Sequence, residues 1–149
     1  IPSTFIENED QKIEIYKRIA SADNKNDILD ITEEIIDRFG NPPNQVDNLL
    51  KISYIKSLSK KLFVKSIIQT GDTLNIELNN PKDLSQERIA FLMENYYNKI
   101  TFVGTKEPII KYKLSSLYQS KILRELIEFL EILNKFKAET AMEEKHEEI

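Results

Sequence analysis

Wound at about 100° per residue, the stretch from Asp27 to Phe39 puts Ile28, Leu29, Ile31, Ile35, Ile36 and Phe39 on one side of a helix. Asp30, Glu33, Glu34 and Asp37 gather on the other side, with no base among them. The like-charge pairs Asp30/Glu34 and Glu33/Asp37 each cost an isolated helix roughly 0.2–0.5 kcal/mol. Such a stripe is either an ordinary solvated face or a surface kept acidic for a partner. The spacing predicts a cap at Asn26 or Asp27. Gly40 is the predicted stop, since glycine enters the left-handed position after a helix without steric cost, and Asn41-Pro42-Pro43 blocks continuation.

The rest of the chain is organised around this corner. Residues 1–7 read as an extended lead-in. Asn8, with Gln11 three residues on, predicts the cap of a first helix running to Ala20, with Ile13, Tyr16, Ile19 and Ala20 as its apolar face. Asn44 to Leu62 predicts a third helix whose apolar residues wrap most of its circumference, leaving Lys56, Lys60 and the serines for water. The period then changes to two. Val64–Gln69 and Thr73–Leu78, joined across Thr70-Gly71-Asp72, predict a hairpin. Ser85 caps a predicted helix to about Tyr97, with Ile89, Leu92, Met93 and Tyr96 inward. A second hairpin follows at Ile100–Val103 and Ile109–Leu114, then a helix from about Ser116 that turns Ile122, Leu126, Phe129, Leu130, Leu133 and Phe136 inward. The class is α+β: helices packed with a small antiparallel sheet built from two hairpins, in the order three helices, hairpin, helix, hairpin, helix. Residues 1–137 are expected to form one domain and 138–149, rich in glutamate, a disordered acidic tail.

Composition narrows the function more than the fold. At 149 residues with 40% apolar and 31% charged positions, the chain suits one soluble domain. No apolar run approaches the ~20 residues of a membrane span and no leader is visible, so a cytoplasmic location and no membrane partner are expected. The absence of cysteine excludes disulfides and thiolate metal sites. The chain opens on Ile1-Pro2, as a piece of a longer polypeptide or a processed protein would.

Candidates for catalysis are few. The single histidine, His146, lies in the acidic tail, and none of the three glycines belongs to a phosphate-binding loop. The carboxylate pairs of the stripe lack the burial that acid or base work requires. No enzyme activity, cofactor or metal is therefore expected of this chain. Interaction surfaces remain. Asp30, Glu33, Glu34 and Asp37 would suit a basic partner. Lys56, Lys60, Lys61 and Lys65 could touch nucleic-acid phosphates, although a solvated lysine face reads the same. Tyr96-Tyr97 is a weaker stacking candidate.

Several separated motifs also carry a family resemblance. IEIYKRIASA at Ile13–Ala22, EEIIDRFG at Glu33–Gly40, Pro43, VDNLL at Val46–Leu50 and KKL at Lys60–Leu62 come in one order. In that order they resemble the C-terminal (TRCF) domain of bacterial transcription-repair coupling factors, the Mfd family. Phe63 stands where that family often has glycine. The resemblance implies the regulatory end of an ATP-dependent DNA translocase of the superfamily 2 type, without its motor motifs. It further implies docking onto a UvrB-like N-terminal module of the same protein, which masks the surface that recruits UvrA. Glu34 and Asp37 match the family's acidic contacts. RNA polymerase and DNA would then be reached through the full-length protein, not through this domain. The alternative is a nucleic-acid-contacting appendage that uses the lysines of the third helix.

Overall fold

A computed structural model describes residues 1–80, 84–104 and 106–147, with side chains through 136. Two compact units divide the chain, Ile1–Leu58 and Ser59–Ile149. The first holds α1 (Glu9–Ala20), α2 (Lys25–Phe39) and most of α3 (Asn44–Lys61). The second holds β1 (Val64–Thr70), β2 (Thr73–Leu78), α4 (Gln86–Asn95), β3 (Ile100–Val103), β4 (Ile109–Lys113) and α5 (Gln119–Glu147). The element order and the α+β class match the sequence reading. The acidic tail and His146 fall where no side chain is described, and residues 148–149 lie outside the described residues.

Caps set the helix limits. The Asn8 side chain accepts from the Gln11 N–H at 3.0 Å and starts α1. In α2 the cap is Asn24, two or three residues earlier than the expected Asn26 or Asp27. Asn24 accepts from the Asp27 N–H at 2.9 Å, while the Asp27 carboxylate accepts from the Asp23 N–H at 3.0 Å. This reciprocal pair satisfies two amides that Asn26 or Asp27 as cap would leave open. Gly40, at φ 93°, closes α2 by donating its N–H to Ile36 O at 2.9 Å.

The core of the first unit is Ile6, Ile15, Ile19, Ile28, Ile31, Ile35, Val46 and Leu50. Three expected faces rotate. In α1, Ile15 and Ile19 are buried, while Ile13 and Tyr16 are exposed. The apolar residues span an arc of about 160°, with Ile13 and Ile15 at its two margins, and buried Ile6 and partly buried Phe5 from the lead-in go with the Ile15 side. In α2, Leu29 and Ile36 are about half exposed, at 49% and 42%. In α3, the serines expected in water are buried. Ser53 donates to Ile19 O at 2.7 Å, beside the longer 3.4 Å bond which that oxygen accepts from the Ala22 N–H, and Ser57 donates to Asp23 O at 2.6 Å, so α3 holds the α1–α2 corner through backbone oxygens of the last turn of α1 and of the connector.

In the second unit the four strands are antiparallel in the order β1-β2-β4-β3. Gly71, at φ 63°, and Asp72 form the two-residue turn between β1 and β2. Phe63, just after α3, takes the left-handed φ of 57° at the position where the resemblance leads one to expect glycine. Gly104 has no substitute in the β3–β4 loop, because its φ is 91° and a Cβ there would stand 2.7 Å from Glu107 O. One sheet face turns Leu74, Ile76, Ile100, Ile110 and Tyr112 inward, in the same unit as buried Leu126, Phe129, Leu130 and Leu133 of α5. In α4, Leu92 is buried as expected, whereas Met93 is exposed and Arg88 is buried in its place.

Candidate interaction surface

The acidic stripe separates into two parts once α1 packs beside α2. Glu34, which the resemblance matches to a docking contact, is engaged within the chain. It pairs with Arg18 of α1 and, at 3.5 Å, with Arg38 one turn along its own helix. Arg38 also approaches Glu14 of α1 at 3.6 Å and lies 4.9 Å from the centroid of the Phe39 ring. The four charges alternate in sign between the two helices. The sequence concealed this because Arg18 lies sixteen residues from Glu34. These groups are about a third exposed or more, so each pair contributes at most about 1 kcal/mol. Glu34 thus bridges α1 and α2 within this unit.

Asp30, Glu33 and Asp37 are exposed and form no hydrogen bond or ion pair among the described residues. Asp30 lies at a shallow cleft with Arg18, Ser21, Ala22, Asp27 and Ile31. Glu33 and Asp37 are bordered by Leu29 and Ile36, which lie about 80–100° around α2 from Ile28. The outward face is thus mixed: two half-exposed aliphatic side chains two turns apart, flanked by unpaired carboxylates. A helix wheel already shows Leu29 and Ile36 at the margin of the apolar arc. What it cannot show is that the described residues leave that margin about half exposed.

The lysine set does not form one free group. Lys56 and Lys60 are exposed one turn apart on α3. Lys65, however, sits between Glu107 at 3.2 Å and Glu77 at 3.7 Å. Hydrogen bonding and charge attraction to Glu107, then Glu77, hold its ammonium above the ordinary lysine range.

Glu125 of α5 is the most heavily bonded carboxylate in the second unit. It accepts from Tyr112 Oη at 2.8 Å, Ser115 N at 3.1 Å, Ser115 Oγ at 3.0 Å and Lys99 Nζ at 3.2 Å. The residue thereby ties the first turns of α5 to the end of β4 and the approach to β3. Burial pushes its carboxyl up, but Tyr112, the Ser115 N–H, Lys99 and the Ser115 hydroxyl together outweigh burial and hold it below the usual carboxylate range. Burial, and then this carboxylate, push the Tyr112 phenol far up. A carboxyl depressed on folding stabilises fully above its unfolded value of about 4.3 and loses that contribution as pH falls through the folded value. Glu125→Gln is therefore expected to cost about 1.5–3 kcal/mol at pH 7, with the difference from the native chain shrinking towards pH 3. Urea midpoints measured at both pH values check this. A pH-independent difference would mean that the charge contributes nothing.

No helix among the described residues is long and apolar enough to cross a membrane. Comparison with known proteins places residues 1–89 on the model of the TRCF domain. The transcription-repair-coupling factor of Borreliella burgdorferi is 26% identical over 129 residues, or 80% of this chain and 12% of that protein. The Bacillus subtilis factor is 28% identical over 120 residues, covering 78% of this chain and 10% of that protein. The chain thus spans about a tenth of the length of these curated relatives. Among solved structures, the C-terminal domain of a transcription-repair coupling factor superposes with a TM-score of 0.81 at 30% identity. That alignment covers 93% of this chain and 88% of the other.

Proposed function

Because the chain belongs to the TRCF domain family, we propose that it is a non-catalytic regulatory domain of a longer transcription-repair coupling factor. It docks through the outward face of α2 onto a UvrB-like N-terminal module of the same protein and masks the surface that recruits UvrA. The observation that carries this reading is the pairing of half-exposed Leu29 and Ile36 with the unpaired carboxylates Glu33 and Asp37. Aliphatic groups supply contact area, and acids without partners among the described residues select a basic counterpart and its register. Glu34 acts one step back, by fixing the α1–α2 pair that presents the face. RNA polymerase and duplex DNA are engaged by the rest of the protein.

The test uses this chain and the separately purified N-terminal module. Glu33→Lys with Asp37→Lys is expected to weaken binding at least about tenfold and leave the melting temperature within error. Glu34 stays native, because reversing it would also release Arg18 and Arg38. The gap between native and variant should narrow as salt shortens the screening length to about 3 Å at 1 M. Native affinity in the double variant would overturn the assignment of this face.

A further inference from the structure

The charge of the chain is unevenly held. The first unit carries seven basic and eleven acidic residues, and the second fourteen of each. Within the second, residues 95–124 hold Lys99, Lys106, Lys111, Lys113, Lys121 and Arg124 against one acid, Glu107, which is engaged by Lys65. The β3–β4 ladder concentrates part of this charge on one side of the sheet. Thr101 pairs with Lys111, and the Lys113 N–H donates to Lys99 O at 2.8 Å, so Lys99, Lys111 and Lys113 share the face opposite buried Ile100, Ile110 and Tyr112. Like charges directly opposite on a sheet cost stability. Glu125 draws off Lys99. Lys111, Lys113 and Arg124 have no ion-pair or hydrogen-bond partner among the described residues.

Aromatic rings interleave these cations. Tyr97 lines a cleft of about 290 Å³ with Lys99, Lys111 and Lys113. An adjoining cleft of about 440 Å³ shares Lys99 and is lined by Lys121 and Arg124 together with Glu125, which engages Lys99, and Glu128. Tyr97 and Tyr118 are each 73% exposed, and Lys121 Nζ stands 5.5 Å from the centroid of the Tyr118 ring. Unpaired cations alone would suit any polyanion. Solvent-facing rings beside them suit one whose unpaired bases can stack, while phosphates meet the ammonium and guanidinium groups.

We propose that the second unit carries a binding surface for single-stranded nucleic acid, with Lys111, Lys113, Lys121 and Arg124 contacting phosphates and Tyr97 and Tyr118 stacking bases. It is separate from the α2 face and does not use the lysines of α3.

The experiment titrates the 149-residue chain with a fluorescein-labelled oligothymidylate of about 16 nucleotides and follows anisotropy across a salt series. The chain has six tyrosines and no tryptophan, so its own tyrosine emission also reports stacking. Binding with quenched tyrosine emission is expected. Lys111→Glu with Lys113→Glu should weaken it at least about tenfold and lower the salt slope by about 1.4. Tyr97→Ala with Tyr118→Ala should weaken it about tenfold or more and abolish the quench. Lys56→Glu with Lys60→Glu should change neither readout. Circular dichroism confirms folding of each variant. No binding at low salt, equal or tighter binding of duplex, displacement by polyglutamate as effective as by unlabelled oligonucleotide, or an unchanged quench in the tyrosine variant would each overturn the proposal.

Discussion

Phe129→Ala is expected to destabilise the protein by about 3–5 kcal/mol, among the largest effects of any single truncation. The ring is 1% exposed. Its centroid lies 4.9 Å from that of Tyr112 on β4 and 5.1 Å from that of Tyr96 at the end of α4, and those two lie 5.9 Å from each other. Three elements of the second unit therefore meet on one α5 side chain. Losing it forfeits the transfer energy, leaves a cavity that close-packed neighbours cannot fill, and removes ring–ring contacts worth about 0.5–1.5 kcal/mol each. A lowered urea midpoint with an unchanged denaturant slope would match this account. A loss below about 1 kcal/mol would show that the rings do not form the keystone of the unit. Phe129→Leu should recover part of the loss.

The second large effect is a contrast between neighbours. Ile35→Ala should cost about 2–5 kcal/mol, since Ile35 is 0% exposed at the centre of the first unit's core. Ile36→Ala should stay within about 0.5 kcal/mol, since Ile36 is 42% exposed. On a wheel both belong to the apolar side of α2, Ile35 near its centre and Ile36 at its margin, so sequence periodicity ranks them without showing that Ile36 is half exposed. The same pair in a docking assay should reverse its ranking, with Ile36→Ala weakening association and leaving stability intact. Equal stability losses would mean that the exposed face of α2 is wrongly placed.

Much of the architecture was legible from local chemistry. Asn8, Ser85, Gly40 and Gly71-Asp72 announce caps and turns because their side chains, or the lack of one, settle backbone geometry within three or four residues. The family motifs likewise led to the TRCF domain. What stayed hidden depended on neighbours distant in sequence. Ile13 and Ile15 lie at opposite margins of the apolar arc of α1, about 160° apart, so only packing could choose Ile15 over Ile13. Burial of Ile6 in the lead-in carries no periodic signal. Arg18 could not be matched to Glu34 from spacing along either helix. The strand order β1-β2-β4-β3 requires knowing that β4, not β3, joins β2. The basic run from 95 to 124 was visible in the sequence, but it is split among loop, strands and helix, and only the sheet register brings Lys111 and Lys113 to one face.

The serines of α3 show where local and global optima diverge. On helix propensity alone, alanine at positions 53 and 57 would improve α3 by up to about 0.5 kcal/mol each. The same change would remove the hydroxyl donors that reach Ile19 O and Asp23 O from thirty-four residues away, a loss of about 0.5–1.5 kcal/mol for each bond. A redesign that maximised the helicity of α3 would thus unfasten the corner that presents the α2 surface.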